Sequence, residues 1–164
     1  MTREEIMALP KRELEIAVGR DVMGFTIYTY DRRFHSCRDR TATHWVLWDT
    51  AKNVASLPWP RGEDTYLAER NSEAEAWDDT PKYTEDANAL RDMEMEIDRK
   101  ANTYVYFDEL ASLLGLDVHT QYGYMSFTPF DVAAFLTATL EVKCRAALIT
   151  LIEQDTSAAI KQDT

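Results

Sequence analysis

Four arginines fall within nine residues, Arg32, Arg33, Arg38 and Arg40, with Asp39 the only acid among them. A guanidinium fork grips phosphate oxygens two at a time. Phe34, Trp45 and Trp48, close by in sequence, supply rings on which a base can stack. An anion- or nucleotide-binding pocket built from Arg32, Arg33, Arg38, Arg40, Trp45 and Trp48 is therefore one reading of this segment. Ion pairing with an acidic stretch elsewhere in the chain is a second, and a loop that contacts a partner is a third.

Other chemistry-bearing residues are sparse. His35, Cys37 and His44 are soft metal ligands, but zinc needs three or four ligands at constrained spacing, and H-x-C in an arginine-rich loop lacks it. Cys144 lies mid-helix on an apolar stripe, where burial makes a thiol unreactive. Asp78-Asp79 and Asp108-Glu109 lack the third convergent ligand that a divalent cation requires. The five glycines, Gly19, Gly24, Gly62, Gly115 and Gly123, are scattered, which excludes a phosphate-cradling loop and a dinucleotide fingerprint. No nucleophile elbow, HExxH or deaminase signature occurs. The expectation is a chain without catalytic residues, metal or cofactor.

Charge points instead toward binding. The formal net charge is −11 over 164 residues, a field that repels nucleic acid. It suits a protein occupying a site built for nucleic acid, one that meets a basic partner, or plain solubility, the commonest reason for such a charge. The density peaks from Pro60 to Asp86, where nine acids oppose Arg61, Arg70 and Lys82, nine minus three leaving −6. Self-repulsion in such a stretch costs stability, and a purely structural role would favour interspersed lysines. Glu63, Asp64, Glu73, Glu75, Asp78 and Asp79, around the aromatic anchors Tyr66 and Trp77, are the candidate partner-binding residues. A solvated surface loop is the competing reading.

These residues must be held by a small fold. With 45% hydrophobic residues the chain has ample core material, and its length suits one domain. Thr2 to Met23 reads as helix broken near Pro10, stopped at Gly24, followed by a strand at Phe25–Tyr30 and a second at His44–Trp48. A helical turn is expected within Leu67–Ala76. Thr84 is placed to cap a helix reaching about Lys100. Thr103–Phe107 reads as a third strand, Glu109–Leu114 as a short helix, and Tyr122–Thr128 with Val132–Leu136 as a hairpin about Pro129. Thr139 caps a last helix to about Gln154, and the tail beyond is expected to fray. Leu90, Ile97, Leu140, Cys144 and Leu148 are the predicted core. Helix 139–154 is apolar on two faces, so it is buried on both sides or meets a second subunit in a homo-oligomer. The element order predicts an α+β fold, an antiparallel sheet with helices 84–100 and 139–154 packed on it. No apolar run is long enough to span a bilayer, and the acidic start lacks a signal peptide, so a cytoplasmic location is expected.

Three segments, in order, carry a resemblance: Met1-Thr2-Arg3-Glu4-Glu5-Ile6 running on to Val22-Met23-Gly24-Phe25, then Tyr83-Thr84-Glu85-Asp86, then Cys144-Arg145-Ala146-Ala147-Leu148. They resemble the opening, central and closing motifs of the phage "ABA sandwich" domain family, small proteins common in phage and prophage genomes. Phe25 stands where the family usually has Trp, and Glu85 where it has Thr. Residues 60–82 and the segment Asp108 to Gln121 look like insertions relative to shorter members. The resemblance implies an α/β sandwich and a phage origin, and it transfers no catalytic residues. Together with the charge it predicts an inhibitor of a bacterial antiviral defence system, acting on a host protein or complex with a basic surface. The alternatives are a sponge that sequesters a small nucleotide signal and, third, a hydrolase or metal-dependent nuclease.

Overall fold

A computed structural model of the protein describes residues 1–33, 41–50, 54–55, 69–101, 103–116, 119–121 and 124–162. The fold class is α+β, as the sequence predicts, and the chain gathers into two compact units: Met1–Val18 with Lys82–Thr164, and Gly19–Pro81.

The first unit is built around one helix. Its first element, α1 (Arg3–Ala8), begins with a capping box, the Thr2 hydroxyl accepting from the Glu5 amide at 3.2 Å and the Glu5 carboxylate from the Thr2 amide at 2.7 Å. Leu9 and Pro10 break the helix, and α2 (Lys11–Ala17) follows. Four more helices complete this unit, α4 (Ala87–Lys100), α5 (Thr103–Leu114), α6 (Pro129–Thr137) and α7 (Leu140–Gln162), with a small hairpin of β4 (His119–Gln121) and β5 (Tyr124–Ser126) between α5 and α6. Helices α1, α2, α4 and α5 all pack on α7. Cys144, Ala146, Ala147, Leu148, Ile149 and Thr150 are all buried, and no residue from Leu140 to Ile152 is exposed. The second apolar stripe of α7 is thus covered by this chain's own helices.

The second unit holds a three-stranded antiparallel sheet, β1 (Phe25–Arg33), β2 (Thr41–Asp49) and β3 (Val54–Ala55), in the order β1-β2-β3. Strand β2 is central. Beyond β3 its free edge is extended at one point by Arg70, whose amide and carbonyl exchange hydrogen bonds with Trp45 at 2.9 and 3.1 Å. A short helix, α3 (Glu73–Trp77), packs on β2 and β1. The sheet is approached through a π-helical turn, Val18–Val22, closed by Gly24 with φ of 74°, a conformation that glycine adopts without steric cost.

Several expectations are corrected. Thr103–Phe107 is helical rather than a strand: its β-branched and aromatic run is the first part of α5, where Tyr106 and Leu110, one turn apart, are both buried. Packing on α7 outweighs local strand propensity. The hairpin about Pro129 does not form either. Pro129 is the first residue of α6, and Thr128 with Asp131 makes a second capping box. Asp86, not Thr84, caps α4, accepting from the Asn88 amide at 2.8 Å. The Thr84 hydroxyl donates instead to Glu15 at 2.5 Å. Leu90, Ile97, Cys144 and Leu148 are buried as expected, whereas Leu140 is half-buried. Thr139 does cap α7, accepting from the Val142 amide at 3.3 Å, and the helical backbone continues beyond Gln154 to Gln162. Among the described residues no helix is long and apolar enough to cross a membrane.

Two stability measurements test this packing. Leu148 is 1% exposed in the middle of α7, so Leu148→Ala is expected to cost about 2–5 kcal/mol in denaturant unfolding. A smaller loss would mean that α7 is not the centre of the core. A Cβ on Gly19 would stand 2.7 Å from Thr80 Cγ2 and 3.3 Å from the Phe25 ring, and Thr80 is itself buried. Gly19→Ala is therefore expected to destabilise by about 1–3 kcal/mol through overpacking, although alanine suits a helix better than glycine does. An unchanged or raised melting temperature would contradict this contact.

Candidate functional site

The acidic candidates that the structure describes lie on and just after α3. Ser72 caps this helix, accepting from the Glu75 amide at 3.2 Å, and Glu75 returns to accept from the Asn71 amide at 3.0 Å. Ala76 is fully buried and Trp77 half-buried, which leaves Glu73, Glu75 and Asp78 exposed on the outward side. Asp79 behaves differently. Its side chain is 6% exposed and receives both arms of the Arg70 guanidinium, at 2.6 and 2.9 Å. This fork raises the Arg70 pKa, chiefly through the Asp79 hydrogen bond, with Glu75 and Asp78 adding to it. Asp79 is thus a structural residue rather than a member of the exposed acidic surface. Glu63, Asp64 and Tyr66 lie outside the described residues.

The arginine reading is only partly described. Arg32 and Arg33 end β1, paired with Ala42 and Thr41, while Arg38 and Arg40, with His35 and Cys37, lie outside the described residues. Trp45 and Trp48 are three apart on β2, so they occupy opposite faces of the sheet. Trp48 lies across from Thr26 and Trp45 across from Thr29. They cannot both stack one base, and the pocket expected from the two rings together is not built.

What the register does assemble is a row of rings on a single face. Trp48 and Tyr28 lie 5.8 Å apart between centroids, Tyr28 and Tyr30 6.1 Å, Tyr30 and His44 5.8 Å. Cross-strand pairs of this kind are a main source of sheet stability. At one end of the row the Tyr30 hydroxyl donates to Glu69, and His44 Nδ1 stands 3.7 Å from the same carboxylate. Glu69 therefore ties the residues just before α3 to the hairpin. Sequence reading missed this row, yet its signal was present: Tyr28 and Tyr30 alternate on β1, and His44 and Trp48 fall on the same face of β2.

Several carboxylates elsewhere are engaged structurally. Buried Glu15 pairs with Arg12 at 2.9 Å besides accepting from Thr84. Glu94 accepts from the Tyr106 hydroxyl at 3.1 Å and pairs with Lys143 at 3.3 Å. Arg3 binds Glu109 at 2.5 Å, Ser112 Oγ at 3.2 Å and Glu153 at 3.5 Å. Burial, and next the proximity of Glu109, push the Glu153 carboxyl upward. Since Glu109 is held by Arg3, the Asp108-Glu109 pair is not an open cation site. No group of three His, Cys, Asp or Glu among the described residues could hold a metal ion.

Cys144 is fully buried, and burial foremost, then the Glu15 carboxylate, pushes its thiol up to about 12. The thiolate is the reactive species. In a Cys37→Ser background, iodoacetamide at neutral pH is therefore expected to leave Cys144 unmodified until denaturant is added. Stoichiometric labelling of the folded chain would show that the site opens. The chain matches no protein-family model, no curated protein and no solved structure.

Proposed function

We propose that this protein acts by binding: the outward face of α3 engages a basic surface on a partner protein, the behaviour of an inhibitor that covers a nucleic-acid-binding surface in a bacterial defence complex. The observation that carries this reading is the division of labour among the acids around α3. Asp79 and Ala76 anchor the segment, while Glu73, Glu75 and Asp78 stay exposed. A fixed helix presenting carboxylates loses less conformational freedom on binding than a flexible acidic loop. The net charge of −11 would steer a basic partner toward it and speed encounter. The resemblance to phage proteins supplies the defence setting, and charge and geometry supply the binding mode.

The test uses the triple variant Glu73→Gln, Glu75→Gln, Asp78→Asn beside the wild type. The Glu75→Gln change keeps an acceptor oxygen for the Asn71 amide, and surface changes of this kind shift stability by only about 0.5 kcal/mol. Melting is expected to be unchanged. The protein that the wild type retains from bacterial lysate is expected to associate more slowly with the variant, and its binding to the wild type to be far more sensitive to salt. Asp79→Asn is expected to do the reverse, lowering stability by about 1–3 kcal/mol as the Arg70 fork is lost. Association that is equally fast and equally salt-dependent with the triple variant would sink the reading.

A further inference from the structure

Helix α6 is amphipathic the wrong way round. At 100° per residue, Pro129, Phe130, Val132, Ala133, Leu136 and Thr137 fall on one continuous arc, and all six are exposed. Phe130 is 87% exposed and Leu136 77%. The helix's single charge, Asp131, is turned inward and buried, where it closes the capping box with Thr128 at 2.6 Å. Phe135 is the inward apolar residue, its ring 5.5 Å from Phe107 and 5.2 Å from Phe127. Surface helices normally turn charges outward, and an exposed apolar patch marks an interaction site.

We propose that this face docks a second copy of the chain, α6 against α6 across a twofold axis at Ala133. Charge is the first argument. Two copies that each carry −11 repel, and a face without charge is where they approach at least cost. Between Phe127 and Leu140 there is no Lys or Arg, so the face offers nothing to anionic lipid headgroups and no carboxylate to a basic protein. Symmetry is the second argument. Phe130, Ala133 and Leu136 read large, small, large at equal spacing. In an antiparallel pair about Ala133, each Phe130 meets the other copy's Leu136 while the two small residues let the backbones approach. An isologous contact requires such a self-complementary patch. Area sets the strength. One exposed helix face offers on the order of a few hundred Å², against about 800 Å² per partner in a standard interface. The dimer is therefore weak and concentration-dependent. It uses a different surface from α3, so it stands or falls independently of the proposed inhibitor role.

Analytical ultracentrifugation of the full chain from micromolar to millimolar concentration tests the proposal. The wild type is expected to shift from monomer to dimer with concentration. Phe130→Asp and Leu136→Asp are each expected to weaken dimerisation at least about tenfold, because the dimer would bury an unpaired carboxylate. Both positions are exposed, so circular dichroism and melting should match the wild type. Met95→Asp, an exposed change on α4, is expected to leave dimerisation unaltered. In a Cys37→Ser background, Ala133→Cys is expected to yield a disulfide-linked dimer under oxidation, since the axis brings the two copies of residue 133 together. A wild type that stays monomeric at millimolar concentration, including one that binds neutral phospholipid vesicles instead, overturns the proposal. So does a dimer that survives both Asp variants, or one that Ala133→Cys fails to cross-link.

Discussion

Every residue of helix α7 from Cys144 to Thr150 except Arg145 is buried, and the first unit is arranged to satisfy it. A helix stretch so largely apolar is not stable alone in water, so other helices must pack on it. Helices α1, α2, α4 and α5 do so, and the small side chains of Ala146 and Ala147 leave room for close approach. The few polar groups inside are provided for locally. Thr150 donates to the Ala146 carbonyl at 2.9 Å, and so carries no unmet donor into the core. Arg145 lies along the helix surface and donates to the carbonyls of Ile6 and Leu9, at 3.1 and 3.3 Å. The Ile6 carbonyl, at the end of α1, also accepts from the amide of the C-cap residue Leu9 at 3.2 Å. One guanidinium thus fastens the first helix to the last while Glu141 balances its charge at 2.5 Å.

The second unit follows another logic, because a sheet has two faces and two edges to settle. Strand β2 is paired on both sides, by β1 along its length and by β3 and Arg70 at separate points. The backbone bridge at Arg70 and the side-chain fork to Asp79 together fix both ends of the segment that carries α3. Glu69, one residue earlier, reaches Tyr30 and His44 on the hairpin. Two adjacent residues therefore hold the acidic helix to the sheet, one through a cation and one through a carboxylate. This is why a short helix capped by one serine keeps its place.

Acidic residues outnumber lysine and arginine 29 to 18, yet they fall into two populations. Glu15, Glu109, Asp79 and Asp131 have buried or nearly buried side chains, and each is matched by an arginine or by backbone amides. Such pairing is what burial of a carboxylate demands, since an unpaired one costs on the order of several kcal/mol. Glu73, Glu75 and Asp78 are exposed and contribute to the field outside the molecule. Counting acids along the sequence does not distinguish the populations, because the difference lies in what the fold brings beside each side chain.

Features set by neighbours in the chain were legible in the sequence. The Thr2 capping box, the break at Pro10, the left-handed Gly24, the strands around Phe25–Tyr30 and His44–Trp48, and the buried Leu90, Ile97, Cys144 and Leu148 all follow from local spacing and polarity. The T-P-F-D cap of α6 was equally local and could have been read the same way. Tertiary structure decided wherever contacts between distant segments compete with local preference. Thr103–Phe107 has the composition of a strand and becomes helix because α7 needs a cover. Thr84 is taken by Glu15, so Asp86 caps α4. The parity of β2 parts Trp45 from Trp48 and dissolves the two-ring pocket, while cross-strand register assembles a row of rings that neither strand displays alone. Whether an acid stands as anchor or as surface, and which helix turns its apolar side outward, depends on partners tens of residues away. A linear pattern records a side chain's polarity, but only the packed chain fixes what that side chain meets.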